Sequence, residues 1–190
     1  MNELASSGQL RMSLLRWLLV CVPAMVAMGS FVDFVVNAGP ANRWFAALIP
    51  PQALLSPTAF ALIWALIYAC AGAALALILS ARGARRRPLA LLMFLHTLVG
   101  MALWKLLFFA HHDVSTAVVM IGLLLGFTLV TAVLFARIRK SAGLLMLPLL
   151  GWLCFSAFLN IRIDAQYPDA ETLVPPAASA NIGGGQDREE

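Results

Sequence analysis

Five apolar stretches dominate this chain and leave it little choice of fold. They run approximately Leu14–Val36, Pro57–Ala81, Leu89–Phe109, Ser115–Ala136 and Gly143–Ile163. Each reaches the roughly 20 residues needed to cross about 30 Å of hydrocarbon. Lipid offers the backbone no water, so each run must satisfy its own N–H and C=O groups as an α-helix. The runs are continuous rather than alternating, which argues against a β-barrel. Composition agrees: 62% of the 190 residues are hydrophobic and 12% charged, against roughly 25% charged in a soluble domain. Mean hydropathy is +0.88. The expected fold is an all-α membrane protein, a bundle of five transmembrane helices. It fills residues 1–163 as one domain, with the lipid bilayer as its first partner. Residues 164–190 end in "PPAASANIGGGQDREE", the composition of a disordered tail.

The first run follows Arg11 and Arg16 and resembles a secretory signal. Its apolar part, Trp17–Val36, exceeds the usual ~7–15 residues and no small-x-small site follows, so it reads as a retained span. With five spans, alternate connections share a side. Arg11, Arg16, Arg82, Arg85, Arg86, Arg87, Arg137, Arg139 and Lys140 gather on the N-terminal side. Arg43, Lys105, Arg162 and Arg188 fall on the other. In a bacterial-type inner membrane, the positive-inside rule then puts the N-terminus in the cytoplasm. The long first connection and the C-terminus face outward. A net charge of +4 gives no reason to expect a nucleic-acid partner. Cys21, Cys70 and Cys154 lie in apolar runs without CxxC spacing and read as small apolar residues.

Trp and Tyr usually ring the bilayer interface. In "SPTAFALIWALIY" (56–68), however, Phe60, Trp64 and Tyr68 fall four apart on one face inside the apolar layer. Trp104 and Phe108 lie near the outer end of the third span. Trp152, Ser156 and Asn160 share a face of the fifth. These groups converge in the outer half, beneath the first connection (37–56) with its three prolines. That is the arrangement of a ligand cavity between helices, with the long loop as its lid. Any one of these aromatics is more simply read as helix packing or an interface anchor, as Trp17 is. Their joint placement is what argues for a cavity. Asn160, a buried amide, needs a partner on a neighbouring helix or on a ligand.

Asp33 and Lys105 are ionisable residues near the outer ends of spans. They read either as an ion pair gating the cavity mouth, or as two groups that each reach the water boundary. His96 reads as hydrogen-bonded to a neighbour rather than as a haem ligand. His111, His112 and Asp113 read as a solvated turn. "GLLLG" (122–126) and Ala65, Ala69 and Ala73 offer small-residue faces, open to a homodimer or to internal packing. Pro23 and Pro148 are candidate kinks. The sequence shows no nucleophile–base pair, phosphate-cradling glycine loop or metal-ligand spacing. No catalytic residue, metal or required cofactor is therefore expected.

The ordered pattern W-x3-L-x2-P…F-x3-W-x3-Y, LW-x3-FF and P-x3-W-x6-LN covers residues 17–163. It comprises Trp44, Leu48, Pro51, Phe60, Trp64 and Tyr68, then Leu103, Trp104, Phe108 and Phe109, then Pro148, Trp152, Leu159 and Asn160. It resembles the tryptophan-rich sensory protein and translocator protein family, also called the peripheral benzodiazepine receptor family. The resemblance implies a five-helix bundle, often dimeric, with a pocket for planar hydrophobic small molecules. Porphyrin or a haem-type tetrapyrrole is the implied ligand, and sensing or transport the implied role. Ligand-binding residues would be Trp44, Phe60, Trp64, Tyr68, Trp104, Phe108, Trp152, Ser156 and Asn160. Arg43 or Lys105 would meet the carboxylate edge. The first loop departs from the family: "PQALLSP" lacks the W-x-P-P element, which argues against porphyrin-degrading chemistry. Met101, Lys105 and Leu149 also depart, and they weaken the polar part of the pocket. The alternatives are a small secondary transporter with Asp33 as coupling acid, or a porphyrin-degrading enzyme.

Overall fold

The protein is described by a computed structural model covering residues 7–173. Helix α1 spans Ser7–Val35 and contains Pro23. A short helix α2, Arg43–Leu48, sits in the first connection. The side chain of its N-cap residue, Asn42, accepts from the Phe45 N–H at 3.2 Å. Helix α3, Pro57–Ser80, starts where Ser56 Oγ accepts from the Ala59 N–H at 3.2 Å and Pro57 occupies the first turn. Helix α4, Arg87–Lys105, runs on into a widened π turn, Leu106–Ala110. Asp113 caps α5, Val114–Ile138, by accepting from the Thr116 N–H at 2.9 Å. Helices α6, Lys140–Leu144, and α7, Leu147–Gln166, follow. Five helical segments are long and apolar enough to cross a membrane, close to the expected spans.

Two sequence expectations are corrected. Pro148 does not kink a continuous fifth span. The chain breaks between α6 and α7, and Pro148 stands in the first turn of α7, where its missing N–H costs nothing. The tail does not begin at residue 164. Helix α7 runs to Gln166, and a turn at Ala170–Thr172 folds back with Ala170 buried. The expectation of disorder for residues 174–190 lies outside the described residues.

Helix α1 lies along α3, α4 along α5, and α5 along α7. The α1–α3 contact is close because Gly72 presents no side chain. A Cβ there would stand 2.7 Å from the Cys21 carbonyl oxygen. Gly29, on α1, likewise leaves room for the Tyr68 ring. Between α4 and α5 the Thr97 and Thr131 hydroxyls lie 3.1 Å apart; one donates to the other, and the acceptor's own proton goes to a carbonyl of its own helix, Met93 for Thr97 or Phe127 for Thr131. These two buried hydroxyls are thus paired where no water reaches. The outer surface is apolar, with Leu19, Phe31, Phe34, Leu62, Leu66, Val119 and Phe158 exposed to what must be lipid. Gly122 and Gly126 also face outward with open space around them, so this glycine pair makes no close approach inside the bundle. Cys21 is buried, Cys70 half-buried, and Cys154 faces out.

Candidate ligand cavity

A cavity of about 220 Å³ opens at the end of the bundle that carries the first connection. Helix α3 supplies Phe60 and Trp64, and α4 with its π turn supplies Trp104, Phe108 and Phe109. Helix α7 supplies Trp152, Phe155, Ser156, Leu159 and Asn160. The first connection closes it with Pro40, Phe45, Ile49 and Ala53–Leu55. The rings form two clusters that face each other across the space, one on α3 and α7 and one on α4, its π turn and the first connection. The Trp64 and Trp152 rings meet edge to face at 5.8 Å, and Phe60 meets Trp152 at 6.2 Å. Trp104 stacks on Phe108 at 6.2 Å. Such offset and edge contacts are the favoured aromatic geometries.

Asn160 is buried, and its partners are protein groups. Its amide oxygen accepts from Trp104 Nε1 at 2.8 Å, and its nitrogen donates to the Ser156 carbonyl at 3.2 Å. This bond fixes the Trp104 ring as a wall between α4 and α7. The Trp64 indole N–H, also buried, has no partner among the described residues.

Seven of the nine expected ligand residues line the cavity: Phe60, Trp64, Trp104, Phe108, Trp152, Ser156 and Asn160. Trp44 and Tyr68 do not. Phe45, Phe109, Phe155 and Leu159 join the lining beyond those expected. The last two complete an i, i+3, i+4, i+7, i+8 stripe with Trp152, Ser156 and Asn160, a signal the sequence carried. Phe109 is turned inward by the π turn, for which the sequence gives no sign. Such bulges are frequent at functional sites.

Trp44 stands behind the cavity as a clamp. Its Nε1 donates to the Ala170 carbonyl at 2.7 Å, its ring stacks on His112 at 4.3 Å, and its edge meets Phe108 at 5.3 Å. The 110–115 turn is therefore not merely solvated, contrary to the sequence reading. His112 braces Trp44, and partial burial lowers its imidazole pKa below the ordinary value. Asn42 Nδ2 donates to the Phe109 carbonyl at 3.2 Å and ties the loop to the π turn. Trp44→Phe is expected to cost about 1 kcal/mol through the lost hydrogen bond. It should also speed proteolysis near residues 167–173, and unchanged cleavage would contradict the clamp. His96 lies outside the cavity, with Nδ1 2.8 Å from the Leu92 carbonyl oxygen and its ring on Phe127.

Asp33 and Lys105 meet. The Lys105 ammonium is buried and forms an ion pair with Asp33 Oδ1. Nζ also donates to Tyr68 Oη at 2.6 Å, and Tyr68 Oη donates to Asp33 Oδ2 at 3.0 Å. The ammonium sits 3.4 Å from the centre of the Trp64 ring. This corrects two expectations. Lys105 does not snorkel to the interface, because a carboxylate, a hydroxyl and an indole face satisfy it inside. Neither it nor the exposed Arg43 lines the cavity, so neither meets a ligand edge there.

The profile of the TspO/MBR family matches residues 19–166. The chain belongs to that family. Its relatives there include the tryptophan-rich protein TspO of Chlorobaculum tepidum, 28% identical over 147 residues, covering 77% of this chain and 92% of the relative. The translocator protein of Bos taurus is 27% identical over 144 residues, with coverages of 72% and 82%. That of Ovis aries is 29% identical over 142 residues, with coverages of 71% and 81%. The five apolar helices and TspO/MBR membership make the protein a multi-pass integral membrane protein of translocator or sensory type.

Proposed function

We propose that the protein is a membrane receptor or carrier that takes a planar, hydrophobic molecule of tetrapyrrole kind into this cavity. The observation that carries the reading is the set of Phe60, Trp64, Trp104 and Trp152 rings from three helices around one space, with Ser156 and Asn160 as the polar edge. Indole faces stack on flat aromatic guests, and a few placed polar groups fix their orientation. The space of about 220 Å³ is below the roughly 300–1,000 Å³ of pockets that enclose drug-sized ligands. A tetrapyrrole therefore requires the stretch 49–55 of the first connection to lift. That stretch is the weaker part of the cover, since Ala53 and Leu55 are exposed while Trp44, Phe45 and Leu48 are buried. No charged side chain lines the cavity, so ligand carboxylates stay at the mouth, toward water.

Binding rather than degradation is favoured by the first loop, which has no tryptophan after Trp44. The distribution of Lys and Arg supports a mouth on the extracytoplasmic face of a bacterial inner membrane. A second reading, proton-coupled transport, is favoured by the ionisable pair inside the spans. A proton-gradient requirement for uptake into proteoliposomes would support it.

Titration of the purified protein with protoporphyrin, followed by tryptophan quenching, tests binding. Saturation near one ligand per chain is expected. Trp152→Ala should weaken affinity by about tenfold or more, the equivalent of one lost stacking wall. Unchanged affinity in that variant would count against the reading.

A further inference from the structure

We infer that Lys105 acts through Trp64 to set the ligand's charge: the cavity takes electron-rich or anionic flat rings and turns away cationic ones. The inference rests on the cavity reading above and adds a ligand class to it. Three observations carry it. The Lys105 ammonium lies 3.4 Å from the Trp64 ring centre. Trp64 lines the cavity and Lys105 does not, so the indole stands between the charge and the guest. Tyr68, which accepts from the same ammonium at 2.6 Å, stacks on Trp64 at 5.3 Å, so the ammonium and the phenol ring occupy the same side of the indole.

The physics fixes the sign. A cation against one face draws π density toward itself and leaves the other face electron-poor. A flat guest stacked on that other face lies about 3.5 Å further out, so roughly 7 Å from Nζ by the same spacing. At that distance, with no water between, the charge is weakly screened. Asp33 offsets part of the field. Its carboxylate binds the ammonium from α1 and borders a second opening between α1, α3 and the first connection, which shares Pro40, Phe60 and Trp64 with the cavity. What remains is a dipole whose positive end abuts the ring. No residue lining the cavity carries a charge to counter it. Nor does stability alone account for the pair, since two apolar side chains would fill the same space at no greater cost.

The test uses three flat probes of one shape in a neutral detergent: pyrene, 1-pyrenecarboxylate and 1-pyrenylmethylammonium. Wild-type protein should bind the carboxylate over the ammonium by about tenfold. The variant Asp33→Asn/Lys105→Met removes both charges and keeps a hydrogen-bonding group for Tyr68. It should bind pyrene as wild type does, while its preference between the charged probes falls to within about threefold of unity. Lys105→Arg should keep the preference. Asp33→Asn/Lys105→Gln repeats the test with polar groups in place, should methionine not be accommodated. A wild-type preference surviving in both neutral variants overturns the inference and leaves the cavity reading intact. Failure of pyrene itself to bind the wild type overturns both.

Discussion

Lys105→Met alone is expected to destabilise the protein by about 1–3 kcal/mol, because it strands a half-buried carboxylate. Asp33 would keep only the Tyr68 hydroxyl, bonded at 3.0 Å, with an apolar span on either side. The magnitude follows from the asymmetry of buried pairs: removing one partner costs far more than removing both. Asp33→Asn/Lys105→Met should therefore recover most of the loss. Thermal unfolding in detergent, followed by circular dichroism, reads both. A Lys105→Met protein that melts with the wild type would mean that water or another group already serves Asp33.

The second large effect is expected at Gly72. In Gly72→Ala the new Cβ would meet the Cys21 carbonyl oxygen at 2.7 Å and the Val22 Cα at 2.8 Å. Both are backbone atoms, so no rotamer change relieves the contact and α1 must move off α3. Overpacking of this kind costs about 1–3 kcal/mol. The displacement also loosens the bond from Tyr68 to Asp33, which ties the same two helices further along. Gly122→Ala and Gly126→Ala are the controls. A Cβ at either meets nothing within 4 Å, so neither should lower the melting temperature. Equal melting of Gly72→Ala and the controls would contradict the close α1–α3 approach.

The five helices were legible because lipid allows so few solutions: a run of some 20 apolar residues must be a helix. The cavity walls were legible from periodicity, as Phe60 and Trp64 on α3 and Trp152, Ser156 and Asn160 on α7 show. Spacing along one helix says which residues share a face, but not which neighbour that face meets. Tyr68 follows the same four-residue rhythm as Trp64, yet it points to Asp33 and Lys105 instead of the cavity. Trp44 lies in a loop, where no periodicity operates, and its bond to the Ala170 carbonyl spans 126 residues of sequence. The π turn at Leu106–Ala110 rotates Phe108 and Phe109 together into the interior, and no residue type marks such a turn. The charged pair was visible as two isolated ionisable residues. Its burial was not, because a lysine near a span end has water within reach until tertiary packing removes it.

The central claim is that a flat guest occupies the space between α3, α4 and α7, and filling that space tests it most directly. Ser156 faces the cavity from α7 and is nearly buried. A Ser156→Phe chain, checked for wild-type helicity, is titrated with protoporphyrin beside the wild type, and the porphyrin absorption band is followed. The account predicts a saturable shift for the wild type and none for Ser156→Phe. An equal shift in both would place the ligand elsewhere on the protein and contradict the account.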